Sequence, residues 1–124
     1  MNVIEKISVV MCTYNGEKYI RQQLDSILKQ TYPIYEIIIN DDISTDGTVD
    51  IIKEYMIRYD NIHLFVNSKR LGVHPNFMAA LVKASGDYIA ISDQDDIWEL
   101  TKIEKQMACI IRLCFVFFFK QIFW

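Results

Sequence analysis

Three carboxylates crowd into four residues at Asp93-Gln94-Asp95-Asp96, directly after the apolar run Tyr88-Ile89-Ala90-Ile91. Like charges this close repel one another unless a cation or solvent screens them. Side chains of an extended segment alternate, so Asp93 and Asp95 project to one side. Two hard oxygen donors there suit a single divalent ion, Mg²⁺ or Mn²⁺. A solvated acidic turn has the same letters, and D-x-D alone does not separate the two. Two more polar clusters follow apolar runs in the same way: Cys12-Thr13-Tyr14-Asn15 after Ile7 to Met11, and Asn40-Asp41-Asp42 after Tyr35 to Ile39.

The elements that must position these clusters alternate between strand-like and helix-like segments, the pattern of a parallel sheet flanked by helices. Strands are expected at Ile7 to Met11, Tyr35 to Ile39, Ile62 to Val66 and Tyr88 to Ile91. Between them, Glu17 to Gln30 reads as a helix with Ile20, Leu24, Ile27 and Leu28 on one face. Thr48 to Tyr59 reads as a second, capped by Thr48, burying Val49, Ile52, Tyr55, Met56 and Tyr59. A third begins near Pro75 and carries Phe77, Met78, Leu81 and Val82 inward, and a fourth spans Trp98 to Met107 with Ile103 and Met107 on one side. In such sheets ligands bind beyond the carboxyl ends of the strands, where all three polar clusters fall.

The composition narrows the ligand. The 124 residues carry a formal net charge of −3 and a pI near 5.3. There is no basic stripe to neutralise a nucleic-acid backbone. Neither G-x-G-x-x-G nor G-x-x-x-x-G-K-[ST] occurs, so a bound phosphate needs a metal, which would neutralise a diphosphate as leaving group. That is the chemistry of sugar transfer from a nucleotide sugar. Cys12, Cys109 and Cys114 show no C-x-x-C spacing, and no secretory leader is visible, which together point to a reducing, cytoplasmic setting. His63 and His74 lack a histidine partner at metal-ligand spacing. Lys69 and Arg70 read either as solvated loop charges or as a loop facing the diphosphate.

Val9-Val10-Met11-Cys12-Thr13-Tyr14-Asn15, Asn40-Asp41-Asp42-Ile43-Ser44-Thr45-Asp46-Gly47-Thr48 and Ser92-Asp93-Gln94-Asp95-Asp96-Ile97-Trp98 resemble three ordered motifs of family 2 glycosyltransferases. The resemblance runs from about Ile4 to Gln106 and implies the GT-A fold, a Rossmann-like, mostly parallel α/β sheet, incomplete on its C-terminal side. It implies that Tyr14 stacks on the nucleotide base and Thr13 lines its pocket, while Asp42 or its neighbour Asp41 bonds the base edge and the other caps the turn. Asp93 would approach the ribose or the metal, and Asp95 would ligate the metal directly. Asp96 either joins them or caps the helix that follows. The implied partners are a UDP- or dTDP-sugar donor and a glycan or lipid-linked acceptor, in polysaccharide or cell-envelope synthesis. The D-Q-D-D-I-W form is similar to rhamnosyltransferase-like members. Family members place a catalytic base well downstream of the acidic cluster, and no residue here matches it, so no catalytic residue is assigned.

From Ala108 to Trp124 the composition turns almost wholly apolar and aromatic. It reads as a buried strand, an interfacial anchor giving peripheral membrane contact, or an out-of-frame end, the last being favoured by how sharply composition shifts after residue 107. Donor-site residues without a base leave two functional readings, a glycosyltransferase portion and a metal-dependent nucleotide-binding module without transfer activity.

Overall fold

The computed structural model describes residues 4–93, 96–113 and 121–123. The elements follow one another as β1 (Ile7–Thr13), α1 (Ile20–Leu28), β2 (Glu36–Asp41), α2 (Thr48–Arg58), β3 (Ile62–Val66), α3 (Val73–Leu81), β4 (Tyr88–Ser92), α4 (Lys102–Leu113) and β5 (Gln121–Phe123). Every pairing is parallel, in the order β3-β2-β1-β4-β5. The chain moves outward from β1 to β3, then returns to the other side of β1 for β4. The direction of winding therefore reverses between β1 and β4, where a crevice opens between the loops leaving the two strands.

Alternation along the strands builds two cores. Ile7, Val9 and Met11 of β1, Ile37 and Ile39 of β2 and Ala90 of β4 face one side, where Ile20, Leu24 and Ile27 of α1, Ile51, Ile52 and Tyr55 of α2, and Ile103 and Met107 of α4 close over them. Val10, Ile38 and Ile89 face the other side, covered by Ala80 of α3 and Ala84. Near-continuous burial along β1 and β2 is what a sheet covered on both faces requires.

α1 and α4 bury the faces expected of them, and so in part do α2, through Ile52 and Tyr55, and α3, through the half-buried Phe77 and Leu81; α2 and α3 depart from the rest of their expected faces for a common reason. α2 buries Thr48, Ile51, Ile52 and Tyr55, leaving Met56 and Tyr59 each 37% exposed. α3 buries Asn76 and Ala80 and exposes Met78 and Val82. Each helix has more apolar residues than one face can cover, so a polar residue with partners beneath the helix decides the rotation. Those residues are Thr48, bonded by the backbone N–H of Gly16, and Asn76, bonded to Asn40 and Asn67. Nor is Thr48 the cap of α2, whose N-cap is Gly47; the Thr48 N–H instead donates to Asp46 Oδ1 at 3.0 Å. α4 starts at Lys102, so Trp98 is buried ahead of the helix and Asp96 does not cap it. The boundary expected after residue 107 falls inside α4, and 121–123 pair with β4; the aromatic run 115–119 lies outside the described residues. Among the described residues, no helix is long and apolar enough to cross a membrane.

At the opposite end of the sheet from the crevice, Gly86 N–H donates to Ser8 Oγ at 2.7 Å. A Cβ on Gly86 would lie 2.6 Å from Ser8 Oγ and 2.7 Å from the Lys6 carbonyl. The carbonyl belongs to main chain that β1 fixes, so Gly86→Ala is expected to cost about 2 kcal/mol through overpacking, read as a lower urea midpoint.

Candidate functional site

A cavity of about 380 Å³ lies at the crevice, lined by Cys12, Thr13 and Tyr14 at the end of β1, Asp42 after β2, Arg70, Gly72, His74, Asn76 and Phe77 around the start of α3, and Ser92 and Asp93 at the end of β4. The size suits a small ligand with a few convergent polar groups. Register places these residues together: Thr13 is level with Asp41, and Met11 with Ser92.

Strand parity separates the two neighbouring aspartates. Asp41 continues the side of Ile37 and Ile39, away from the cavity, and is fully buried. Its carboxylate accepts from Thr13 Oγ1 at 2.6 Å, Ser44 N at 2.8 Å and Ser44 Oγ at 2.6 Å. It ties the first two motif loops together. Asp42 continues the side of Ile38 and Asn40 and enters the cavity wall at 3% exposure. It accepts from Leu71 N at 2.8 Å, Gly72 N at 3.0 Å, Asn67 Nδ2 at 3.0 Å and Arg70 Nε at 3.2 Å. Burial alone would push its carboxyl up, but the Leu71 N–H, the Asn67 amide, the Gly72 N–H and the Arg70 guanidinium together hold it down at about 2. The two backbone donors precede α3, whose amino end favours a negative charge.

The loops are built to hold this arrangement. Asn15 sits at φ 50°, where asparagine is tolerated, and its Oδ1 accepts from Thr45 N at 2.8 Å while its own N–H donates to Ser44 Oγ at 2.9 Å. Ile43 sits at φ 61°, a conformation a β-branched residue adopts only under constraint. Its neighbours Asp42 and Ser44 are both fixed by the bonds above. Asp46 joins the loops from the other end, accepting from Glu17 N at 3.2 Å and from Thr48. Beneath them, Asn40 donates to Asn67 and Asn76 at 2.8 Å each and accepts from Lys83 Nζ at 2.6 Å.

Tyr14 stands on the rim, 36% exposed, with the Arg70 guanidinium 3.6 Å from its ring centroid. One face of the ring is thus covered by a cation that also bonds Asp42. Cys12 lines the cavity, but burial and the nearby Asp42 charge push its thiol up to about 11, so it is protonated and unreactive at neutral pH.

Asp93 is exposed at the cavity wall, and no described residue bonds its carboxylate. Asp95 lies outside the described residues. Among the described residues no group of three His, Cys, Asp or Glu side chains converges on a point. Mg²⁺ or Mn²⁺ bound with a nucleotide needs only one or two protein carboxylates, since phosphates and waters fill the rest of the octahedron. An exposed carboxylate beside a ligand-sized cavity fits that demand, whereas Asp41 and Asp42 are buried and already engaged by donors that a cation would displace.

The structure thus groups Thr13, Tyr14, Asp42 and Asp93 around one cavity and sets Asp41 behind it as a tie. Arg70 enters through its contact with both Tyr14 and Asp42, which its loop position did not disclose. His74, Asn67 and the Leu71 and Gly72 amides carry no motif that would have singled them out.

The sequence matches glycosyl transferase family 2 over residues 8–121. TuaG of Bacillus subtilis (strain 168), assigned as a teichuronic acid biosynthesis glycosyltransferase, is 37% identical over 113 residues, covering 91% of this chain and 45% of its own length. TarS 1–349 of S. aureus, solved in complex with UDP-GlcNAc, superposes with a TM-score of 0.79 at 32% identity, covering 86% of this chain and 31% of that one. The mannosyltransferase PcManGT of Pyrobaculum calidifontis, solved with GDP-Man and Mn²⁺, gives 0.70 at 29% identity over 77% of this chain and 29% of that one. The chain therefore spans less than half the length of these relatives. With a GT-A-like parallel sheet and its motif loops gathered at the switch point, the chain belongs to glycosyl transferase family 2.

Proposed function

We propose that the cavity is the donor site of a glycosyltransferase that takes a sugar from a nucleoside diphosphate to a glycan or lipid-linked acceptor in cell-envelope polysaccharide synthesis. The observation that carries this reading is the meeting of Tyr14 and Asp42 with Asp93 across the switch point, in one cavity. Tyr14 offers an aromatic face to a base and Asp42 a fixed carboxylate to its edge, while Thr13 lines the wall between them. Asp93, with Asp95 on the resemblance, would hold Mg²⁺ or Mn²⁺ against the diphosphate. When bound, the cation supplies Lewis-acid stabilisation of the departing nucleoside diphosphate. The chain's own residues bind and orient the donor; none of those described is assigned as base for the acceptor hydroxyl.

TarS and PcManGT are both known with nucleotide sugars, one with Mn²⁺, which supports the donor class without selecting the base. The D-Q-D-D-I-W run favours a dTDP-rhamnose-like donor, and the free thiols Cys12 and Cys109 suit work on the cytoplasmic side of the membrane. Calorimetric titration with UDP, dTDP and GDP, each with and without Mn²⁺, is expected to show one diphosphate binding best and at least tenfold tighter with metal. If none of the three binds in the presence of Mn²⁺, the donor-site reading is wrong. Binding without turnover of any nucleotide sugar would leave a nucleotide-binding module.

A further inference from the structure

α1 and the turn that ends it carry polar side chains along the segment that leads from β4 to α4. Gln23 Nε2 donates to Ser92 Oγ at 2.9 Å and to the Asp93 carbonyl at 2.6 Å. Ser26 Oγ accepts from Trp98 N at 3.0 Å. Gln30 Nε2 donates to the Glu99 carbonyl at 2.7 Å, and its Oε1 accepts from Ile103 N at 3.1 Å. Gln23 and Ser26, at i and i+3, lie on one side of α1, and Gln30 follows two residues beyond its end.

Gln23 differs from its two companions in its partners, which lie at the end of β4. It is 3% exposed and lies beside Ile20, Leu24 and Ile27, on the face that builds the core. Hydrocarbon would pack there without the cost of desolvating an amide, which is recovered only through the bonds the amide makes. Both bonds go to the end of β4. Fixing the Asp93 carbonyl fixes the peptide plane that leaves residue 93, and with it the direction of the main chain from which the carboxylate projects. Gln23 is not among the residues lining the cavity.

We propose that Gln23 is a positioning residue for the cation end of the donor site: its buried amide sets the main chain at Asp93, so that the exposed carboxylate meets a divalent cation in a fixed geometry. The inference rests on the donor-site reading. Partners that orient a metal's ligands without touching the metal typically carry 10- to 100-fold in affinity.

Gln23→Met keeps the volume and removes both donors. The test is calorimetry of the whole chain with UDP, or with dTDP or GDP where that binds the wild type more tightly, in the presence and absence of Mn²⁺. Metal-free affinity is expected to stay within about twofold of wild type, and the gain on adding Mn²⁺ to fall about tenfold. Ser26→Ala, which removes the bond from Trp98 N and the one the hydroxyl donates to the Gln23 carbonyl but leaves the Gln23 amide and its two bonds in place, should lower the urea midpoint and keep the wild-type gain. A wild-type gain in Gln23→Met, or equal losses with and without Mn²⁺, would overturn the inference while the donor site stands. A wild-type chain that binds none of the three diphosphates overturns both. Should Gln23→Met not fold, Gln23→Glu keeps the side-chain length and replaces the donating amide with an accepting carboxylate; a wild-type gain there would overturn the inference equally.

Discussion

Asp42→Asn is expected to lose about 3 kcal/mol of stability and all measurable nucleotide binding. Four donors converge on the Asp42 carboxylate: the Leu71 and Gly72 N–H groups, the Asn67 amide and the Arg70 guanidinium. An asparagine has the same shape but turns an NH₂ toward donors that need an acceptor, leaving at least one of them buried and unmade. The consequences spread along two routes. The main chain entering α3 loses its anchor, which lowers the urea midpoint, and Arg70 loses the partner that holds it 3.6 Å from the Tyr14 ring. Binding fails because the base edge loses its acceptor and the rim loses its shape together. A variant with wild-type midpoint would show that the four bonds contribute nothing net, and one that still binds diphosphate at wild-type affinity would remove Asp42 from the site.

The same carboxylate predicts the acid limb of stability. Its folded value of about 2 lies below the ordinary 3.8, so folding favours the charged form. The contribution is fully present above about pH 4 and is lost as pH falls toward 2, where the folded protein takes up the proton. The difference between wild type and Asp42→Asn should therefore be constant from neutral pH down to about 4 and shrink below it. A difference that grows on acidification contradicts the assigned bonding.

Asp42 also shows where the sequence was legible. The strands could be placed because continuous apolar runs ending in polar clusters have few other readings, and the three clusters lead to one rim because a parallel sheet allows little else. Parity along Ile37 to Asp42 already puts Asp41 and Asp42 on opposite faces. What it does not say is which face holds the cavity, since that depends on α3 crossing to the side of Ile38. The faces of α2 and α3 were legible only in part, Ile52, Tyr55, Phe77 and Leu81 packing inward and Met56, Tyr59, Met78 and Val82 not, for a related reason: apolar letters mark several stripes, and the stripe that wins is the one whose polar member, Thr48 or Asn76, finds partners below it. Gln23 left a visible sign, a glutamine inside the stripe Ile20, Leu24, Ile27, but its meaning depends on a carbonyl 70 residues away. Arg70 was legible only as a loop charge facing either solvent or a diphosphate, and not as a link, because the aromatic ring and the carboxylate it joins lie on two other loops.

Asp93→Asn isolates the other end of the cavity, and its expected result is the reverse of Asp42→Asn. The Asp93 side chain is exposed and no described residue bonds it, so the urea midpoint should stay within about 0.5 kcal/mol of wild type. Nucleotide affinity without metal should also hold if Asp93 serves the metal rather than the ribose, because the proposed base contacts, Tyr14 and Asp42, are untouched by the substitution. The gain on adding Mn²⁺ should fall about a hundredfold, since the amide oxygen that remains carries no charge against a divalent ion and a hard cation favours carboxylate. A carboxylate kept for folding would move the midpoint and leave the metal dependence alone. A retained gain with a lowered midpoint would therefore assign Asp93 to the fold and shift the cation to Asp95. The two aspartates are thus told apart by which measurement moves. Asp42 is held by four donors and acts by being fixed, whereas no described residue bonds the Asp93 carboxylate, which faces the cavity where a cation can reach it.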